Sequence, residues 1–303
     1  MLFFLPALIR IPLVVLLLIL NVVVHILPLF VLALIKFLLP LAEFRRLCSR
    51  GLALIAENYA SVNNAMFILF TRTRWHIAGM ESILFRHNSY LILCNHQSWV
   101  DIPVLLKLFN RRVPFLRFFI KQQLKWVPLL GLAWWALDFP FMKRYSRATL
   151  ARRPELRGRD RESTRRACAK FKHIPVTVVN FAEGTRFTQA KHDAQGSPYH
   201  HLLRARAGGL ASSFDAMGNS LHAILDVTIV YADGAPSMAD LLAGRIRDIR
   251  VHVHERSIEA SLYGDYENDK FFRKHFCNWV NALWRSKDAK IEHMLATPTA
   301  KLE

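Results

Sequence analysis

Cysteine is scarce in this chain of 303 residues, and the four that occur, Cys48, Cys94, Cys168 and Cys277, are scattered without a Cys-x-x-Cys pair. This usage is typical of a reducing compartment and does not indicate a disulfide framework. A Gly-x-Ser-x-Gly sequence, the nucleophile elbow of many serine hydrolases, is also missing. The sequence therefore gives no indication of covalent catalysis by a serine of that type.

Acidic residues are few, with 23 Asp plus Glu against 41 Lys plus Arg. Such an excess suits nucleic acid or an anionic lipid surface. The sequence contains no zinc-ligand array, RNA-binding signature or basic leucine zipper, and Trp126, Trp134 and Trp135 lie among the basic clusters. Because amphipathic aromatic rings suit a membrane interface, we predict membrane lipids as partners and no nucleic acid.

A long apolar tract occupies residues 1–42, and only Asn21 and His25 interrupt it between residues 11 and 35. It exceeds the roughly 20 residues that span a bilayer and the apolar core of a signal peptide. We predict a membrane-embedded segment at 1–44, either one spanning helix or two shorter helices that break at Pro28, followed by one domain at 45–303. Arg45, Arg46 and Arg50 follow the tract, whereas only Arg10 precedes the stretch 11–35, which favours a cytoplasmic domain.

The rest of the chain alternates short apolar runs with longer helical stretches, which is typical of an α/β fold with a largely parallel or mixed central sheet covered by helices. Predicted strands lie at 75–77, 90–94, 176–181, 223–231 and 249–253, and predicted helices at 45–71, 103–109, 161–172 and 269–287. Residues 154–159 and 190–198 are predicted loops. We expect the second loop to be mobile and to cover the ligand site formed by the two motifs described below.

The first motif, Asn95-His96 to Asp101, directly follows a predicted strand. Residues five apart lie on different faces of a helix, so His96 and Asp101 can meet only across a turn. If they meet, Asp101 fixes the tautomer of the imidazole and leaves its other nitrogen to act as a general base. The alternative is that Asp101 only caps the following helix and that His96 is an ordinary loop residue.

The second motif, Glu183-Gly184-Thr185-Arg186, also follows a predicted strand, and ligands bind at this edge of open α/β sheets. Arg186 can grip a phosphate through two hydrogen bonds, Gly184 permits close backbone approach, and Glu183 can hold the guanidinium. The alternative is a surface turn with one ion pair. His192, His200 and His201 are expected to be loop histidines, and we predict no metal site.

Together, Asn-His-x-x-x-x-Asp at 95–101 and Glu-Gly-Thr-Arg at 183–186 resemble the PlsC-like glycerolipid acyltransferases, the 1-acylglycerol-3-phosphate acyltransferase family. Residues 119–131 and 139–144 resemble the blocks that this family has between the two motifs. The tract 186–203 resembles one branch of the family. Within it the likeness is greatest to YihG-type acyltransferases of bacteria, from about residue 90 to residue 284.

The resemblance implies that His96 deprotonates a glycerol hydroxyl, that Asp101 orients His96, and that the alkoxide attacks the thioester of an acyl-CoA or acyl-carrier protein. No further cofactor is implied. The acceptor is expected to be a lysophospholipid, foremost 1-acyl-sn-glycerol-3-phosphate. The alternatives are lysophosphatidylglycerol or lysocardiolipin, or a non-catalytic protein that binds anionic lipids. The implied acceptor-binding residues are Lys121, Arg144, Glu183, Gly184, Thr185 and Arg186.

The same resemblance implies a location in the bacterial inner membrane. It leaves Cys94 either as a thiol relay beside His96 or, more in keeping with a strand, as a small core residue. The chain departs from the family after the second motif, because Asp226 or Val227 replaces the usual proline. This departure puts in doubt the late wall of the acceptor pocket.

Overall fold

The structure is a computed structural model that describes residues 2, 4–39, 41–80, 84–142, 152–153, 168, 171 and 174–298. Two long helices come first, α1 (Ala7–Leu38) and α2 (Ala42–Phe70). The later helices are α3 (Asp101–Phe109), α4 (Leu130–Ala136), α5 (Gln189–Gln195), α6 (Ala207–Met217), α7 (Met238–Leu242) and α8 (Lys270–Ala296). A 3-10 helix, Gln122–Trp126, precedes α4.

The strands form one six-stranded sheet and one two-stranded sheet. The large sheet has β1 (Arg74–Ala78), β2 (Ser89–Cys94), β3 (Leu116–Phe118), β6 (Thr177–Phe181), β7 (Leu221–Tyr231) and β8 (Asp248–Arg256) in the order β1-β8-β7-β2-β6-β3. Every pair is parallel except β7 with β8. β4 (Ile120–Lys121) pairs with β5 (Phe141–Met142). The predicted mixed α/β fold is confirmed.

The centre of the sheet is buried on both faces, as its continuous apolar strands predict. In β2, side chains alternate between two core clusters: Leu91 and Leu93 pack with Trp284 of α8, whereas Tyr90 and Ile92 pack on the face covered by α3. Because β2 pairs in parallel with β6 and with β7, the carboxyl ends of these three strands lie at the same edge of the sheet.

One predicted loop is wrong, because residues 189–195 form helix α5. The Thr188 side chain accepts a hydrogen bond from the Lys191 N–H at the start of this helix. Gly196, with a φ of 52°, ends it in the left-handed conformation that favours glycine. The predicted loop at 154–159 lies outside the described residues, and so does the predicted helix at 161–172 except for residues 168 and 171.

The apolar helix α1 packs along α2 for most of its length. Leu29 and Ala33 of α1 are buried with Leu52 and Ala56 of α2. α1 is one continuous helix although it contains Pro28, so of the two alternatives the structure has the single helix and not the pair that breaks at this proline. By length and composition it is the one described helix that could cross a membrane. The predicted boundary between residues 44 and 45 falls inside α2.

Both ends of α1 also contact the body of the protein. The Arg10 guanidinium near the start donates to the Ala243 carbonyl at the end of α7, and Lys36 near the other end forms a 2.8 Å ion pair with Asp138. Both ends of α1 are therefore attached to parts of the chain that follow α2.

The residue at the departure from the family pattern, Asp226, forms a buried ion pair with Lys287 of α8. The Lys287 ammonium also donates to the Val227 carbonyl at 2.6 Å, and Arg256 lies 3.0 Å from the other carboxylate oxygen. Burial opposes ionisation of Asp226, but the two cations outweigh it and lower its pKa. Asp226 thus connects α8 to the sheet through its ion pair with Lys287, and its carboxylate interacts with Lys287 and Arg256.

We expect Lys287→Met to lower the free energy of unfolding by about 3 kcal/mol, because Asp226 then keeps only the half-exposed Arg256 as partner. The double variant Asp226→Leu/Lys287→Met should recover most of this loss, since it removes both charges of the buried pair. Urea unfolding in mild detergent, followed by near-ultraviolet circular dichroism, compares them. A double variant less stable than Lys287→Met would contradict this account.

Candidate active site

The two motifs, far apart in sequence, meet at the carboxyl edge of β2 and β6. The His96 N–H donates to the Glu183 carboxylate at 3.0 Å, across 87 residues of sequence. The Phe187 N–H in turn donates to the His96 carbonyl at 2.7 Å. The segment after β6 is therefore hydrogen-bonded to the histidine of the first motif on both sides of its peptide backbone.

The imidazole of His96 is held by Asp101. Nδ1–H donates to Asp101 Oδ2 at 2.8 Å, and because an ionised carboxylate only accepts, the proton belongs on Nδ1. Nε2 then has the lone pair that can take a proton from a hydroxyl. The backbone N–H groups of Gln97 and Ser98 donate to the same oxygen at 2.7 and 2.9 Å. Asp101 thus holds the loop before α3 in place. The alternative that Asp101 only caps the helix is wrong, because its carboxylate also accepts a hydrogen bond from His96.

Tyr231, the last residue of β7, holds the other carboxylate oxygen. Its hydroxyl donates to Asp101 Oδ1 at 2.7 Å, and both side chains are buried. Burial and the nearby carboxylate raise the pKa of Tyr231 well above its ordinary value, so the hydroxyl stays a donor at neutral pH. Sequence reasoning missed this role. The signal was present, because Tyr231 ends a predicted strand at the edge where both motifs lie.

The asparagine of the first motif continues the pairing between β2 and β7. Backbone pairing ends at Cys94 and Val227, and the Asn95 side chain then donates to the Ile229 carbonyl and accepts from the Ile229 N–H, both at 2.9 Å. Asn95 is fully buried, so these bonds satisfy groups that water cannot reach. Asn95 therefore fixes the backbone immediately before the histidine.

An aromatic series supports the imidazole from one face. The ring of Phe181, at the end of β6, stacks on His96 with centroids 4.0 Å apart and planes 15° apart. Phe118 of β3 stacks on Phe181 at 6.2 Å, and Phe139 on Phe118 at 6.4 Å. The same series packs against the cluster that includes Leu29 of α1. This stack limits the orientations open to the histidine ring.

Cys94 is a core residue. It is fully buried on the face of β2 that packs against α3, and burial raises the pKa of its thiol well above the ordinary value. A neutral thiol in this position is a weak nucleophile, so the structure does not support the thiol relay.

The predicted contact between Glu183 and the Arg186 guanidinium is wrong. The Glu183 carboxylate turns inward and accepts from the backbone N–H groups of His96 and Leu203, both at 3.0 Å. Ala182 and Glu183 are the central residues of a turn closed by the Gly184 N–H to the Phe181 carbonyl, and Gly184 follows with a φ of 72°. Glu183 is buried, whereas Arg186 is exposed. Burial raises the pKa of Glu183 to about 7, although its two backbone hydrogen bonds act in the opposite direction.

Arg186 lies beside the first motif. Its guanidinium carbon is 4.7 Å from the ring centroid of Trp99, an exposed residue three positions after His96. This is the geometry of a cation–π contact. A second cation, Lys191 of α5, donates to the Thr185 hydroxyl and to the Arg186 carbonyl, both at 2.9 Å. Sequence reasoning missed Lys191 because it assigned residues 190–198 to a loop.

The remaining predicted site residues are less tightly placed. Lys121 is exposed at the end of β4, in the two-stranded sheet, and Arg144 lies outside the described residues. His192 and His201 have protein partners, the Tyr199 carbonyl at 2.7 Å and Glu292 at 2.6 Å. Among the described residues no three His, Cys, Asp or Glu side chains are grouped to hold a metal ion. The absence of a metal and of a cofactor stays a prediction.

The raised pKa of Glu183 predicts a pH-dependent stability. Between about pH 4.5 and pH 7 the folded chain retains a proton at Glu183 that the unfolded chain has lost, so unfolding becomes easier as pH rises, by at most about 3 kcal/mol. Glu183→Gln cannot titrate, so its stability relative to the parent should increase as the pH rises through this range. Melting temperatures measured in detergent across the range test this, and parallel curves would contradict it.

Comparison with known proteins places these motifs in a family. A family model described as Acyltransferase matches residues 76–231, more than half of the chain, and this range contains His96, Asp101 and the second motif. Residues 183–186 therefore lie in the same matched domain as the histidine that they contact.

Two curated relatives are named 1-acyl-sn-glycerol-3-phosphate acyltransferases. The probable form 5 of Arabidopsis thaliana is 28% identical over 191 residues, 59% of this chain and 48% of the relative. Form epsilon of Mus musculus is 24% identical over 230 residues, 69% of this chain and 58% of the relative. This chain thus spans about half the length of the curated relatives that it matches.

A solved structure shares the fold. The crystal structure of PlsC from Thermotoga maritima, a 1-acyl-sn-glycerophosphate (LPA) acyltransferase, superposes with a TM-score of 0.50 at 17% sequence identity and covers 95% of this chain and 99% of its own. The greater likeness to YihG-type proteins stays a prediction. The match of the family model across both motifs, on a sheet that brings them together, shows that this chain belongs to the Acyltransferase family.

Proposed function

We propose that this chain is a membrane-bound O-acyltransferase that transfers a fatty acyl group from acyl-CoA or acyl-carrier protein to the hydroxyl of a lysophospholipid. The observation that carries the proposal is the His96–Asp101 hydrogen bond with Arg186 and Lys191 close by. It combines a general base with cations suited to an acceptor phosphate. The names of the curated relatives favour 1-acyl-sn-glycerol-3-phosphate as acceptor and phosphatidic acid as product.

In the proposed reaction, Nε2 of His96 takes the proton of the acceptor hydroxyl. The oxygen then attacks the thioester carbonyl carbon, and the tetrahedral intermediate collapses with release of the thiolate. The proton on the imidazolium passes to that thiolate, which returns His96 to its starting state. Asp101 remains ionised throughout and stabilises the imidazolium, as in other histidine–carboxylate pairs.

The acceptor phosphate is assigned to the cations around the second motif. Arg186 offers a planar fork of donors for two phosphate oxygens, and Lys191 offers an ammonium on the same segment. Lys121 and Arg144 are further proposed ligands, with Gly184 and Thr185 shaping the backbone. These cations do not contact the reacting hydroxyl, but by binding the phosphate of the acceptor they position that hydroxyl for reaction. Glu183 has a different part in this proposal, since it holds the backbone of His96.

The proposed membrane attachment follows from the two ends of α1. Arg10 and Lys36 are about 40 Å apart along a helix, which exceeds the roughly 30 Å thickness of the hydrocarbon core. A helix that crossed the bilayer could not keep both ends against a domain on one side. We therefore propose that α1 lies along one leaflet, with Leu16, Leu27 and Leu34 of its exposed face toward lipid. The bacterial inner membrane, with the domain on its cytoplasmic side, is the proposed location.

We expect His96→Ala and Asp101→Asn to lower kcat by at least about 100-fold, because general-base catalysis is lost. Arg186→Ala should instead raise the KM for lysophosphatidate by about 10-fold or more, since one charge-assisted contact is removed. Release of free coenzyme A by detergent-solubilised protein measures both, and Arg245→Ala, an exposed arginine, is the matched control.

An active His96→Ala variant with unchanged kcat would refute the mechanism. Preference for lysophosphatidylglycerol or lysocardiolipin in a panel of acceptors would retain the chemistry and change the substrate. Lipid binding without release of coenzyme A for any acceptor would identify a non-catalytic lipid-binding protein.

Tyr231→Phe tests the buried hydroxyl beside Asp101. Loss of a hydrogen bond to a charged group should lower kcat by about 10-fold, with little change in KM, because Tyr231 supports the general base without lying on the acceptor site. Tyr263→Phe is the matched control, since its hydroxyl donates to the Gly218 carbonyl instead. An unchanged kcat for Tyr231→Phe would contradict this positioning role.

A further inference from the structure

One segment outside the motifs exposes a dense apolar surface. Residues 122–136, the 3-10 helix with α4, are named here the tryptophan platform. Trp126 is 82% exposed and Leu129 61%, while Leu130 and Leu132 are each half exposed. Contiguous apolar surface of this kind marks an interaction site when it occurs on a folded protein.

The platform has a fixed shape. Leu129 has a φ of 61° and a ψ of −54°, and the Leu130 N–H donates to the Pro128 carbonyl at 2.6 Å, which together define a classic γ-turn, a rare and strained form. Gly131 lets the two halves approach, because a Cβ there would lie 2.1 Å from the Lys125 carbonyl oxygen. Backbone strain on a bulky residue persists only where the surroundings impose it, and it is typical of functional segments.

The platform continues the exposed face of α1. The Trp135 ring meets Phe37 edge-on at 6.4 Å, and Ala136 packs in the cluster that contains Leu29 and Ala33. Lys121 and Lys125 are exposed at the amino-terminal side of the platform. Apolar side chains with flanking lysines suit a bilayer whose headgroups are anionic.

We propose that the tryptophan platform is a second membrane contact, which inserts Trp126, Leu129 and Leu130 into the leaflet along which α1 lies. Lys121 and Lys125 then lie at the level of the lipid phosphates. The proposal rests on the proposed membrane-bound function and deepens it. Since Lys121 is also a proposed acceptor ligand, the acceptor phosphate is bound at headgroup height, where a lysophospholipid already presents it.

The test uses the full chain with one environment-sensitive nitrobenzoxadiazole label. The background is Cys277→Ala, because the other three cysteines are buried. Labels are placed through Trp126→Cys, through Leu27→Cys on α1 and through Phe271→Cys on α8, whose side chain is 89% exposed. Each protein is reconstituted into vesicles of phosphatidylethanolamine and phosphatidylglycerol, with or without doxyl-labelled acyl chains.

We expect the emission at position 126 to shift to shorter wavelengths and to lose intensity with doxyl lipids, as at position 27, whereas position 271 stays aqueous. An aqueous emission at position 126, together with quenching by doxyl lipids at position 27, would overturn the proposed membrane contact of the tryptophan platform and leave the proposed membrane-bound function intact. Aqueous signals at both positions would overturn both. An apolar signal at 126 without doxyl quenching would mean that protein covers the surface, and would also overturn the proposal.

Discussion

The buried hydrogen bond between His96 and Asp101 is the interaction on which the rest of the site depends. An ionised carboxylate without partners would be too costly to bury, and Asp101 tolerates complete burial because donors from three places surround it. They are the His96 ring, the backbone of the following loop, and the hydroxyl of Tyr231 on β7. The parallel arrangement of β2 and β7 brings these donors to one point.

Glu183 and Asn95 perform the corresponding task for the backbone of the histidine. One accepts the His96 N–H, and the other joins the residue before it to β7. Both are buried polar groups with satisfied hydrogen bonds, which makes the loop conformation specific. The spacing of residues within the two motifs therefore has a structural role, since several of these residues hold one another in place while Arg186 remains exposed.

Sequence patterns predicted the parts of the fold whose signals are local. The apolar runs correctly predicted the strands β2, β6 and β7, and the long apolar tract correctly predicted a long helix at α1. The contact between the two motifs was also predicted, because the carboxyl ends of parallel strands lie at the same edge of a sheet. The orientation of Glu183 was not predictable, since it depends on the positive φ at Gly184 and on a partner at Leu203. Short strands such as β3 and β4, and the glycine- and serine-rich helix α6, give weak local signals and form through tertiary contacts.

The stacked rings that lead from His96 through Phe181, Phe118 and Phe139 reach the cluster beneath α1. Phe118 packs on both sides, against the core around α3 and against the cluster at the apolar helix. In a close-packed interior, a change of volume at one ring must be absorbed by its neighbours. The packing around His96 and the packing beneath α1 are therefore coupled through these rings, so a substitution that changes side-chain volume in one region must be compatible with the other.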